Sequence, residues 1–141
     1  MQNPMRNIKQ YKVQEHNIRV LLKDEELDLL EASCEHLKPI IITALNTGMR
    51  LGELLSLKWE NVDMNREVIT VTETKSNKIR YIPINNLLKE TLKCVKLTND
   101  RVFCDNNGRP MESIKTAFRN AVRRSKIRYC RFHDLRHTFA S

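Results

Sequence analysis

Long apolar runs are missing from this chain of 141 residues, and no stretch approaches the roughly 20 consecutive apolar residues that a bilayer span requires. An apolar signal core is missing from the start as well, so secretion and membrane insertion are not expected and the reading is cytoplasmic, with no membrane partner. Cysteine pairs are absent: Cys34, Cys94, Cys104 and Cys130 are scattered with no Cys-x-x-Cys among them, which fits free thiols in a reducing compartment better than a disulfide framework. Internal repeats and low-complexity tracts are lacking too. Acidic residues are in short supply, with 17 Asp and Glu against 25 Lys and Arg and a formal charge of +8. That balance favours a polyanionic partner, nucleic acid first, although a merely basic soluble protein would account for the charge equally well.

What the chain does contain is one domain's worth of core, since 40% of its residues are hydrophobic. Residues 1 to 20 carry Arg6, Lys9, Lys12 and Arg19 with an early Pro4 and little apolar periodicity, and they read as an arm or linker. From Asp24 an acid-rich turn followed by Leu27, Leu29 and Leu30 predicts a helix that ends between Ser33 and His36. Pro39 opens a second helix, Ile40 to Asn46 form its apolar body, and Gly48 stops it. Arg50 to Leu57 reads as a short helix that turns Leu51, Leu54 and Leu55 toward the core, with Trp59 just after it.

The period then changes. Glu67 to Thr72 and Ile79 to Ile84 are rich in β-branched residues and flank the polar stretch Lys75-Ser76-Asn77-Lys78, the pattern of a hairpin. Asn86 to Val95 carries Leu87, Leu88 and Leu92 at helical spacing, Arg101 to Cys104 is a short strand candidate, and Asn106-Asn107-Gly108 makes a turn. A last full helix has Ile114, Ala117, Phe118, Ala121 and Val122 on one stripe and Lys115, Arg119 and Arg123 on the other. That second face is a candidate for phosphate contacts, or simply a solvated basic face. The expected class is mainly α with a small antiparallel β-sheet (α+β).

Three separated clusters carry chemistry. The first is Thr47-Gly48-Met49-Arg50-Leu51-Gly52-Glu53-Leu54; the second is the hairpin Thr74-Lys75-Ser76-Asn77-Lys78-Ile79-Arg80-Tyr81-Ile82-Pro83-Ile84; the third is His133-Asp134-Leu135-Arg136-His137, running on through Thr138, Phe139 and Ala140. Taken singly, Arg50 could be a surface arginine, Lys75 a solvated turn residue and His133 a helix cap. Taken in order, from about Leu22 to Ser141, they resemble the tyrosine recombinase or phage integrase family. The first resembles the box that supplies that family's first catalytic arginine, here Arg50, with an acidic residue three positions later, here Glu53. The hairpin resembles the one that presents a catalytic lysine, here Lys75, ahead of a Val/Ile-Pro-Leu/Ile signature. The third resembles the second box, whose active-site members fall on His133 and Arg136.

The resemblance implies the catalytic-domain fold of these enzymes and DNA integration or recombination through a 3′-phosphotyrosine intermediate, with no cofactor and no metal. It implies double-stranded DNA as partner and further recombinase protomers, a tetramer on DNA in the full-length protein. The chemistry is consistent with those roles. Metal-free phosphodiester cleavage requires cations on the non-bridging oxygens, and guanidinium supplies a permanent charge with a planar donor fork, so Arg50 and Arg136 form the expected clamp. Glu53 would orient Arg50 from the same helical face. Lys75 would protonate the departing 5′ oxygen and His133 would assist proton transfer at the nucleophile, while His137, one turn on, would pack against the first box.

The sequence departs from the family after Ser141, ahead of the places of the family's last His or Trp and of its nucleophilic tyrosine. Tyr11, Tyr81 and Tyr129 are the only tyrosines, and none matches the nucleophile. The expectation is therefore a linker from a missing core-binding domain over residues 1–20, followed by a partial catalytic domain over residues 21–141. Such a piece would be inactive for cleavage, with apolar surface that favours self-association. Other readings compete. Cys130, His133 and His137 could ligate zinc, and His133-Asp134-x-x-His137 resembles the metalloprotease His-Glu-x-x-His helix with its acid shortened. A non-catalytic DNA-binding module would use the same basic faces, and a type IB topoisomerase shares similar chemistry.

Overall fold

The computed structural model describes residues 18–73 and 77–141. Helix α1 spans Lys23–Ala32, α2 Lys38–Thr47 and α3 Leu51–Leu55; a single 3-10 turn at Trp59–Asn61 leads into strands β1 (Val62–Asp63), β2 (Val68–Glu73) and β3 (Lys78–Pro83). Helices α4 (Asn86–Lys93), α5 (Lys115–Ser125) and α6 (Asp134–Ala140) follow. No helix among the described residues is long and apolar enough to cross a membrane.

Helix α2 is the centre of the domain because its sequence is apolar nearly all round. Ile40, Ile41, Thr43, Ala44 and Thr47 are all buried, and α1, α3, α4 and α6 each pack against it. Its two buried threonines are accommodated by donating backward along their own helix, Thr43 Oγ1 to the Pro39 carbonyl and Thr47 Oγ1 to the Thr43 carbonyl, both at 2.7 Å. Gly48 ends the helix in the left-handed region at φ +72°, its N–H donating to the Ala44 carbonyl. Helix α5 lies against α1 and buries Phe118, Ala121 and Val122.

The sheet is antiparallel in the order β1-β2-β3. Its register pairs Ile69 with Ile82 and Val71 with Arg80, so the alternation of strand side chains puts Ile69, Val71 and Ile82 on the core face. Ile79 and Tyr81 point the other way and are exposed. The hairpin is the one the β-branched runs predict, with β1 added as a third strand too short to announce itself in sequence. Lys75 and Ser76, which follow β2 in sequence, lie outside the described residues, as do Arg6, Lys9 and Lys12.

Several expectations are corrected. Arg101 to Cys104 is not a strand: only isolated bridges form, Lys58 with Arg101 and Cys104 with Pro110. Val102 and Phe103 are both buried instead of alternating, because this segment threads between the end of α3 and the 108–111 stretch, with Val102 N–H on the Leu57 carbonyl and Met111 N–H on the Phe103 carbonyl. Leu27 and Leu87, which helped to mark their helices in the sequence, are exposed. Each helix is covered on one side only, by Leu29 in α1 and by Leu88 and Leu92 in α4. Arg19, read as part of the arm, is docked on the domain: its guanidinium donates to both carboxylate oxygens of Glu25 and to the carbonyls of Arg128 and Tyr129.

Candidate functional site

The site begins at the turn between α2 and α3. Once Gly48 has ended α2, Met49 is drawn fully into the core, its N–H donating to Thr47 Oγ1, and Arg50 becomes the extended residue that caps α3 (φ −72°, ψ 153°). The Arg50 N–H is met by Glu53 Oε1 at 2.9 Å, one half of a capping box, which fixes the backbone from which the arginine side chain departs. The Arg50 guanidinium is about half exposed, with Nη1 3.6 Å from Glu53 Oε2. A second arginine reaches the same carboxylate: Arg80, from β3, sets Nη1 3.0 Å from Oε2 and Nη2 3.4 Å from Oε1.

Helix α6 brings in the third cluster. Arg136 donates through Nε to the Gly48 carbonyl at 2.8 Å, across 88 positions of sequence, and thereby fastens the start of α6 beside the turn that presents Arg50. Phe139, a turn further on, lies over Gly48 so closely that a Cβ there would sit 2.6 Å from the ring; only glycine fits both the positive φ and this contact. His133 stands at the N-terminal end of α6, three residues before Arg136, and its ring meets that of His137 edge-on at 5.0 Å between centroids. Desolvation of the His133 imidazole, and then the positive neighbours His137, Arg136 and Arg131, hold its pKa below the ordinary value of 6.5. His137 packs on His133, and Arg136 and Phe139 reach the first box at Gly48.

Neither zinc reading gains a ligand set. Asp134 is buried, its carboxylate accepting from the Arg131 N–H at 2.7 Å and from Arg131 Nη2 at 3.3 Å, which ties up the acid that a metalloprotease would need as base. Cys130 is buried, and desolvation raises its thiol pKa to about 11, opposite to the thiolate a metal selects. Among the described residues no group of three or more His, Cys, Asp or Glu is gathered for a metal ion.

The structure thus brings Arg50, Glu53, His133, Arg136 and His137 to one end of α2. Lys115, Arg119 and Arg123 are exposed on α5 at successive four-residue steps. They rim a cleft of about 840 Å³ that extends to Leu51 and Leu55 of α3, so the basic face and the arginine turn border the same depression. Sequence reasoning missed three participants. Gly48 reads in sequence as a helix stop and a member of the first cluster, Phe139 as part of a motif, and Arg80 as one residue of a hairpin. A signal for Arg80 existed: two positions before Ile82, it falls on the core face of its strand, where an arginine needs a partner.

Comparison with known proteins gives this arrangement a family. The chain is 32% identical to the shufflon-specific DNA recombinase of Escherichia coli over 138 residues, covering 96% of this chain and 35% of that protein. It is 31% identical to the integrase of Salmonella phage P22 over 141 residues, covering 88% of this chain and 36% of that one. The chain therefore spans about a third of the length of these curated relatives. Among solved structures, the lambda integrase catalytic core superposes with a TM-score of 0.73 at 25% identity, over 86% of this chain and 80% of that one. XerA recombinase gives 0.73 at 27% identity, over 86% and 49%. With the phage integrase family profile matching residues 19–141, a helical domain with a small antiparallel sheet and two arginines gathered at one turn takes its place: the chain belongs to the phage integrase family.

Proposed function

We propose that this chain supplies the arginine clamp and part of the phosphoryl-transfer centre of a site-specific DNA recombinase. One observation carries the reading: the 2.8 Å bond from Arg136 Nε to the Gly48 carbonyl, which draws two clusters 88 positions apart to a common turn. Its use of Nε leaves the terminal nitrogens of Arg136 for a second ligand, and the half-exposed Arg50 follows that carbonyl by two residues. Two guanidinium forks on the non-bridging oxygens of a scissile phosphate would stabilise the charge that builds there during in-line attack. In that step a tyrosine oxygen bonds to phosphorus as the P–O5′ bond breaks. Lys75 protonates the departing 5′ oxygen, and His133, kept neutral near pH 7 by its surroundings, accepts the tyrosine proton. Tyr81 and Tyr129, both exposed, lie on β3 and ahead of α6, away from the nucleophile's place in the family order. On this reading the chain by itself binds DNA without completing cleavage.

Lys115, Arg119 and Arg123 on α5 would track the DNA backbone toward the clamp. Lambda integrase has been solved as a dimer on a core site and as a tetramer on a Holliday junction; the same partners, duplex DNA and other protomers, are proposed here. The exposed basic face of α5 also favours a second reading, a DNA-binding module without chemistry of its own. A suicide-substrate assay separates the two: nicked duplexes are incubated with this chain and with a longer form that supplies the family tyrosine, and adducts are resolved on denaturing gels. An adduct with the longer form alone, lost in Arg50→Ala and Arg136→Ala, is the expected result. Salt-sensitive binding with no adduct from either form would leave the binding module standing and the recombinase reading refuted.

A further inference from the structure

The segment that leads into α1 alternates in burial: Arg19 and Leu21 face the domain, while Ile18, Val20 and Leu22 are exposed. A period of two marks an extended strap with one side on the protein. Arg19 and Glu25 form the clasp that fastens it. Every nitrogen of the guanidinium is engaged: Nη1 and Nη2 donate to the two carboxylate oxygens of Glu25 at 2.9 and 2.7 Å, Nη2 also to the Arg128 carbonyl at 3.0 Å, and Nε to the Tyr129 carbonyl at 3.3 Å. Two residues on, the N–H of the buried Leu21 donates to Thr138 Oγ1 at 3.0 Å, an acceptor that a buried donor needs. The Thr138 hydroxyl gives its own proton to the Asp134 carbonyl at 2.9 Å. One short strap therefore holds α6 twice, through the carbonyls of the stretch before it and through a side chain in its last turn.

Helix α6 has only seven residues, too few to hold its own place without tertiary ties. One side of it meets the turn at Gly48 through Arg136 and Phe139. Thr138 follows Arg136 by two residues, about 200° around a helix, so the strap grips the opposite side. We infer that Thr138 is a positioning residue: by accepting the Leu21 N–H it keeps α6 seated on the Gly48 turn, and so sets where Arg136 and His133 stand. The family resemblance gives Thr138 a place in the second box and no task; the strap supplies the task. The inference rests on the proposed role of Arg136 as a phosphate ligand.

The test uses this chain and two readouts, with melting temperature recorded in parallel. The first is the exchange with water of the Arg136 Nε proton, followed by NMR, which reports the bond to the Gly48 carbonyl. The second is affinity for a short DNA duplex at fixed salt, by fluorescence anisotropy. Thr138→Val keeps the side-chain shape and removes the hydroxyl; exchange is expected to quicken about fivefold and binding to weaken about fivefold, the scale of one hydrogen bond. Thr138→Ser retains the hydroxyl and should restore both. Asn85→Ala is the control for lost stability alone. It removes the N-cap of α4, where Asn85 Oδ1 accepts the Leu88 N–H at 2.8 Å, at a similar cost, and should lower the melting temperature while leaving both readouts at parent values. The inference is overturned if Thr138→Val leaves either readout unchanged, if Thr138→Ser fails to restore them, or if Asn85→Ala produces the same changes. Arg136→Ala keeps the two levels apart. Where it weakens binding and Thr138→Val does not, the clamp stands and the role of Thr138 fails; where it leaves binding unchanged, the clamp itself fails and takes the inference with it.

Discussion

Two glutamates in this domain occupy the same local position and are put to different uses. Glu25 is the third residue of α1 and accepts the Leu22 N–H at 2.9 Å; Glu53 is the third residue of α3 and accepts the Arg50 N–H at 2.9 Å. Each is also held by an arginine from outside its helix, Arg19 at 2.7 Å and Arg80 at 3.0 Å. The difference lies in what else is present. Around Glu25 one fork and one carboxylate close on each other, with only 9% and 19% of the two side chains exposed. The hydrogen bonds from Arg19 and the Leu22 N–H depress the Glu25 pKa to about 2. Around Glu53 two arginines meet one carboxylate, Arg80 at 3.0 Å and the more exposed Arg50 at 3.6 Å. The same backbone cap thus sits in a nearly buried ion pair at α1 and in an arginine cluster open to solvent at α3.

The comparison can be broken hardest at the clasp. Glu25→Ala strands the nearly buried Arg19 and should cost about 2–3 kcal/mol in urea denaturation, with no change in the salt slope of DNA binding. Its pH signature follows from the depressed pKa. The unfolded chain takes up a proton near 4.5 and the folded one near 2, so the stabilisation is complete above about pH 4.5 and drains away as pH falls toward 2. Glu25→Gln should flatten the stability profile in that window. Next comes Gly48→Ala, which meets both a positive φ and the Phe139 ring; a loss of about 2 kcal/mol and weaker DNA binding are expected, part of it recovered when Phe139→Ala removes the ring. Glu53→Gln keeps the cap and should cost less than about 1 kcal/mol. The gentlest measurement is an NMR titration of His133, expected to have its midpoint below 6.5 and to move up when Arg136→Gln removes a neighbouring positive charge. Stability linked to that group is greatest above pH 6.5 and declines as pH falls through the lowered value. A midpoint at or above 6.5 would remove the argument for a neutral imidazole.

Legibility in the sequence followed the range of the forces involved. The stop at Gly48, the hairpin and the apolar stripe of α5 are local patterns, and they stand where the sequence put them. The 101–104 segment misled because two adjacent apolar residues read as a strand, whereas both are buried by a crossing in which only single bridges form. Arg19 and Arg80 could not be understood locally, since their partners lie up to 110 positions away or on another element. The order of the motif clusters pointed to Arg50, His133 and Arg136, but not to the carbonyl of Gly48 as the point where the clusters join.

That junction also has a history in time. Gly48 and Arg136 are 88 positions apart, and a ribosome adding about 5–20 residues per second makes the first roughly 4–18 s before the second. During that interval the nascent chain carries Arg50 without Arg136, and the turn that presents Arg50 has neither Arg136 nor Phe139 to hold it. Synthesis thus keeps Arg50 and Arg136 apart until α6 is made.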